Sequence, residues 1–233
     1  MCILICRIGE RPLVAANRDE VYARPFTAPR VWVAETPFWA PRDEEEGGTW
    51  IGVNRAGLVA AITNRSTLPE TPGRASRGLL VTGMLARGDF ESACAWVEAE
   101  LRRSPRNPCN VVGFQGARGR LFRVGPEGVA SHDLAPGLHV LSNLHEPGEI
   151  EFGLPPEPSW DSLRAILADT TPRLPRGYAV CKRAGWRGTV ASTLIEPGKR
   201  FLFAPGPPDV EFEPVAGYPD YLRPPRPPPL TPP

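Results

Sequence analysis

The residue with the most distinctive chemical potential is Cys2, the second in the chain. Removal of Met1 would leave a thiol and a free α-amine on one residue, joining a nucleophile to its own base. An α-amine titrates at about 7.7–8.0 and a thiol at about 8.5, so both exchange protons near neutrality without a histidine. Asn17-Arg18-Asp19-Glu20 follows a β-like run and holds a carboxylate able to orient an ammonium group. The same tetrapeptide also fits a solvated turn whose Asn and Asp bond locally. His132, His139 and His145 have neither the i,i+4 spacing of a helical metal pair nor that of a short hairpin pair, and each fits a surface or packing position. His145 lies just beyond Asn143. The acidic run Asp43-Glu44-Glu45-Glu46 fits a hard-cation site or a solvated face. Phosphate-loop glycine patterns, Gly-x-Ser-x-Gly and His-Glu-x-x-His do not occur, which leaves those chemistries unsupported.

These residues must be positioned by elements that the hydrophobic pattern outlines. Residues 3–8 and 13–16 read as a hairpin around the turn Gly9-Glu10-Arg11-Pro12, which returns the tetrapeptide toward the N-terminus. After a Pro-broken stretch at 24–41, residues 49–53 and 58–63 read as a second hairpin. Leu79, Leu80, Met84 and Leu85 fall at helical spacing, and Asp89 caps a second helix with Phe90, Ala93, Cys94, Val97 and Leu101 on one face. Strand-like runs return at 110–114, 120–124 and 139–141, then a short helix after Ser159, then strands at 189–195 and 200–203. Strands at both ends with helices between them predict an α+β domain whose terminal strands share one layered sheet structure. A single domain over 1–222 is expected, followed by a Pro-rich tail at 223–233. That tail reads as a disordered appendage or as a polyproline II ligand.

Composition bounds the function classes. The chain has 233 residues, 41% hydrophobic and 23% charged, values of an ordinary globular domain. With 27 Lys+Arg against 26 Asp+Glu the net charge is +1, so no whole-chain field attracts nucleic acid or an anionic membrane. The five cysteines are odd in number and scattered, which fits a reducing compartment rather than a disulfide scaffold. The apolar run at the N-terminus is too short for a signal peptide, and no stretch offers the roughly 20 apolar residues of a membrane span. A cytoplasmic protein without a membrane span or nucleic-acid partner is expected, its protein partners unassigned.

Read in order, several segments resemble the NRDE family, which includes the transport-and-Golgi-organization protein two homologues. The resemblance rests on Met1-Cys2, Ala15 through Glu20, Arg24-Pro25, Arg42-Asp43, Gly47 through Asn54, Gly57, Thr63-Asn64-Arg65 and Ser76-Arg77-Gly78. Farther on it thins to Asn110, Leu141-Ser142-Asn143, Gly188-Thr189 and Ser192-Thr193. It implies an N-terminal-nucleophile (Ntn) hydrolase-like fold, a four-layer αββα sandwich of two antiparallel sheets, and a link to intracellular handling of haem or of acyl-CoA and lipids. No cofactor is required on this reading, and haem enters only as a transported ligand, for which the resemblance makes His145 the candidate iron ligand.

Comparison with choloylglycine hydrolases, which share that fold, assigns Cys2 as nucleophile, Asp19 beside the α-amine, and Asn64 and Asn143 on the oxyanion side. Asn17, Arg18, Glu20 and Arg187 are supporting positions. The two arginines of that site are not matched: the first falls at Ala16 and the second near Val190, with Arg18 and Arg187 close in sequence as substitutes. Two functions follow. A carrier would bind haem or an acyl-CoA-like amphiphile without turnover. An N-terminal-cysteine hydrolase would cleave an amide or thioester bond and would require loss of Met1.

Overall fold

The structure is a computed structural model and describes residues 2–172 and 174–219. β1 (Ile3–Ile8) and β2 (Leu13–Val21) pair as an antiparallel hairpin, with Ile3 opposite Asn17. β3 (Phe26–Trp32), β4 (Phe38–Asp43), β5 (Ile51–Asn54) and β6 (Val59–Asn64) then run as consecutive neighbours. Two helices, α1 (Gly78–Leu85) and α2 (Phe90–Arg103), precede β7 (Cys109–Gln115), β8 (Arg118–Gly125) and β9 (Gly128–Leu134), which extend the same antiparallel sheet. β10 (Gly137–Ser142) crosses to the first sheet and pairs with β1. After α3 (Trp160–Ala168), β11 (Arg183–Ala184), β12 (Arg187–Glu196), β13 (Arg200–Ala204) and β14 (Glu213–Pro214) complete that sheet in the order β10-β1-β2-β12-β13-β14, with β11 on β12.

Side-chain alternation builds the layers. Leu4, Cys6, Val14 and Ala16 meet Trp39, Val53, Val112 and Phe114 between the sheets. The intervening residues Ile3, Ile5 and Ala15 face outward onto Leu163 and Leu167 of α3. On the far side Leu80, Met84 and Val97 of α1 and α2 cover Phe38, Leu58 and Phe122. The result is the αββα sandwich of the Ntn-hydrolase-like fold. Both longer helices begin where a side chain takes up an orphan amide: Asp89 accepts from Ser92 N at 2.9 Å and Ser159 from Ser162 N at 3.1 Å.

Three features depart from the expected elements. β2 continues through Glu20 to Val21, so Asn17-Arg18-Asp19-Glu20 lies within a strand instead of a turn. Pairing with β1 on one side and β12 on the other supplies the backbone bonds that polar side chains would otherwise take. The Pro-broken stretch holds both β3 and β4, because Pro29 and Pro41 fall in a register break between the pairs Thr27–Arg42 and Arg30–Ala40. β9 is an edge strand with little buried side chain, so no apolar alternation marks it. The expected tail at 223–233 lies outside the described residues, and among those described no helix is long and apolar enough to cross a membrane.

Candidate functional site

At the end of the sandwich where β1 begins, a cavity of about 460 Å³ is lined by Cys2, Arg18, Asp19, Trp50 and Asn64, and closed on another side by the loop preceding α1. That loop approaches through glycines: a Cβ on Gly48 would lie 2.5 Å from the Gly78 carbonyl carbon. The contact lets Thr49 N donate to Gly78 O at 3.3 Å.

The Cys2 thiol contacts the backbone carbonyl of Asp19 at 3.8 Å, and burial raises its pKa. The Cys2 carbonyl accepts from Asn143 N at 3.3 Å, because β10 ends beside the start of β1 with Ser142 opposite Ile3. Asn143 is tied onward to the second sheet: its Nδ2 donates to Ser66 Oγ at 3.2 Å and its carbonyl accepts from Ser66 N at 2.8 Å. Ser66 stands two residues past Asn64, so the end of β6 is fastened to the end of β10. Asn143 Oδ1 is buried and has no hydrogen-bond partner among the described residues. Cys2, Asp19 and Asn64 thus share one cavity, and Asn143 joins Cys2 through the backbone without itself lining it.

Asp19 lies toward the C-terminal end of β2, where Thr189 Oγ1 donates to its Oδ1 at 2.7 Å. Burial pushes the Asp19 carboxyl up. Between Thr189 and Ala191 the pairing of β12 with β2 slips by one residue, leaving Val190 in a bulge.

Arg18 is only 5% exposed and still lines the cavity. Its Nη2 donates to Asp43 Oδ2 at 2.5 Å, its guanidinium carbon lies 4.1 Å from the Trp50 ring centroid, and its buried Nη1 has no partner among the described residues. Burial draws its pKa down, opposed by the Asp43 charge. Arg24 forks onto the same carboxylate at 2.8 and 3.2 Å. The amides of Glu45 and Glu46 also donate to Asp43 Oδ1, at 3.2 and 3.0 Å. Burial alone would raise the Asp43 carboxyl, but these donors and the two arginine charges hold it below the usual carboxylate range. The acidic run therefore starts as an arginine-binding turn, and among the described residues no cluster of His, Cys, Asp and Glu is arranged to hold a metal ion.

Other residues singled out in the sequence sit elsewhere. Asn17 faces the outer layer, where its Nδ2 donates to Leu167 O at 2.9 Å and Val180 O at 3.2 Å and its Oδ1 accepts from Ser192 at 2.7 Å. Glu20 lines the cavity, and its Oε1 accepts from Val21 N at 2.9 Å. Arg187 does not reach the cavity: it pairs with Val21, beyond its edge, and stands exposed against the Trp186 ring. His145 is buried with both ring nitrogens engaged, Nδ1 by Ser142 Oγ and Nε2 by Pro175 O, each at 3.1 Å, and it does not line the cavity. Sequence reasoning missed the roles of Trp50, Arg24 and Asp43, although all three lie within the motif segments; their partnership joins β2 to the far end of β4 and has no local signature.

The family model described as Transport and Golgi organisation 2 matches residues 1–155. A bovine Transport and Golgi organization protein 2 homolog is 29% identical, over 84% of this chain and 88% of its own length. The human homolog is 31% identical over 61% of this chain, and the mouse homolog 29% over 61%; each of these two matches spans only 57% of the relative. Among solved structures, a mutant conjugated bile acid hydrolase from Clostridium perfringens superposes with a TM-score of 0.54 at 10% identity, over 92% of both chains. A Caenorhabditis elegans ortholog of N-acylethanolamine-hydrolyzing acid amidase does so with 0.56 at 11%, over 84% of this chain and 93% of its own. These likenesses carry the fold alone, whereas the family match covers most of the chain and includes every segment that lines the cavity up to Asn107. The chain belongs to the Transport and Golgi organisation 2 family.

Proposed function

We infer that the chain handles acyl thioesters of the acyl-CoA type in the Cys2 cavity. The observation that carries this reading is a single cavity lined by both the Cys2 thiol and Arg74, an exposed guanidinium that makes no hydrogen bond or ion pair with a described residue. The Arg74 charge suits the phosphates of a coenzyme head, whereas Arg77 in the same lining is already paired with Glu70 at 2.5 Å. Haem is the less favoured ligand, since the lining is rich in charged groups and His145 is engaged elsewhere. The five free thiols accord with a cytoplasmic setting.

A second reading, thioester or amide hydrolysis, is favoured by the placement of Cys2 beside Asp19 and Asn64, and by structural relatives whose names are those of hydrolases. After loss of Met1, Cys2 Sγ would attack the acyl carbonyl and its proton would pass through the α-amine to the departing thiol or amine. Water would then release the acid and restore the thiol.

Calorimetric titration of the purified chain with acetyl-CoA and free CoA tests the first reading, with saturable binding expected for the wild type and for Cys2→Ala. Absence of binding would overturn it. Chromatographic detection of released CoA, together with intact mass, tests the second. Release that needs Met1 loss and disappears in Cys2→Ala would support hydrolysis, and binding without release would leave carriage.

A further inference from the structure

A second cavity of about 310 Å³ adjoins the first, and Thr71, Arg74 and Asn107 line both. The shared residues form a ridge, in which Thr71 N donates to Asn107 Oδ1 at 2.8 Å. Beyond it the chemistry changes. The second cavity is walled by Leu101, Val124, Val129 and prolines including Pro105, Pro108 and Pro126, and among the described residues no acidic one lines it. Its one inner charge is already matched, because the Arg106 side chain is 2% exposed and donates to Glu100 at 2.7 Å and to Ser76 O at 3.2 Å. Arg74, at the junction, is exposed and makes no hydrogen bond or ion pair with a described residue. Val129 is 48% exposed on the edge strand β9, an apolar side chain left at the mouth of an apolar hollow.

We propose that the second cavity is the tail subsite of the ligand held in the Cys2 cavity and receives the hydrocarbon chain of a medium- or long-chain acyl thioester. This rests on the acyl-thioester reading above and adds chain-length selection to it. Thr71 and Arg74 of the shared ridge are exposed, so one extended molecule can lie across it and occupy both spaces. The leucine, valines and prolines of the second cavity reward methylenes, and among the described residues no acidic group lines it.

The test compares acetyl-CoA with dodecanoyl-CoA, the latter below its micellar range, by calorimetric titration of the full chain and of Val129→Trp and Val129→Glu. Wild-type protein should bind dodecanoyl-CoA at least roughly ten-fold more tightly than acetyl-CoA, as burial of a few methylenes requires. Both substitutions should remove that preference while leaving acetyl-CoA affinity unchanged, and melting curves should match wild type because Val129 is half exposed. Equal affinity for the two ligands in wild type, or an undiminished preference in both variants, would overturn the tail subsite while sparing the head-group reading. Failure of wild type to bind either ligand would overturn both.

Discussion

Thr189 Oγ1 donates to Asp19 Oδ1 at 2.7 Å, a bond between residues 170 apart in the chain. The same hydroxyl oxygen accepts from Lys182 N at 2.9 Å, so one threonine ties the Asp19 carboxylate, β12 and the segment before β11 together. Thr189→Val keeps the shape and removes both bonds. A loss of about 1–3 kcal/mol is expected in urea denaturation, since a buried carboxylate oxygen and an amide lose their partner. The Asp19 pKa should rise further, because the Thr189 bond now works against burial. Unchanged stability would show that water replaces the hydroxyl.

Asp43 holds two arginines, one of them buried. Asp43→Asn strands the Arg18 charge and should cost about 3–5 kcal/mol, read by denaturation near neutrality. The pH dependence has a definite sign. The folded pKa lies below the unfolded one, so the stabilisation is complete above the ordinary carboxylate range and is lost as pH falls through the folded value. Acid titration of wild type should show this loss, and the variant should lack it.

Asn17 separates folding from binding. Asn17→Ala leaves the carbonyls of Leu167 and Val180 without their side-chain donor and should cost at least about 1–3 kcal/mol. Because Asn17 does not line the Cys2 cavity, affinity for an acyl thioester should be unchanged in the folded variant. A weakened affinity at full folding would place Asn17 in the binding machinery.

Thiol access should differ sharply along the chain. Cys2 lines a cavity, whereas burial pushes the thiols of Cys6 and Cys109 to about 12 and that of Cys94 to about 11. Under native conditions iodoacetamide should modify Cys2 first, at a rate still climbing above the usual thiol range because its own pKa is raised. Peptide mass mapping after timed quenching reads the order. Modification of Cys6 or Cys109 ahead of Cys2 would contradict the burial pattern.

Sequence by itself determined what is written in neighbouring residues. The first hairpin follows from two apolar runs around a Gly-Pro turn, and α2 and α3 from caps at Asp89 and Ser159 ahead of one-sided apolar spacing. The ordered motif segments, from Cys2 to Gly78, carried the family and with it the fold. Tertiary structure decided which motif residues meet. Asn17 and Arg18 are adjacent in sequence, yet strand alternation sends one to α3 and the other to the cavity. The register of β12 on β2 sets Arg187 opposite Val21, outside the cavity lining, and Arg18 is fixed by a carboxylate 25 residues away. β9 and the β3–β4 pair escaped notice because an exposed edge needs no apolar period and a proline-bearing bulge breaks it. Local sequence encodes propensity and alternation, but the partner across a sheet is chosen by the free energy of the whole packed sandwich, which no short segment contains.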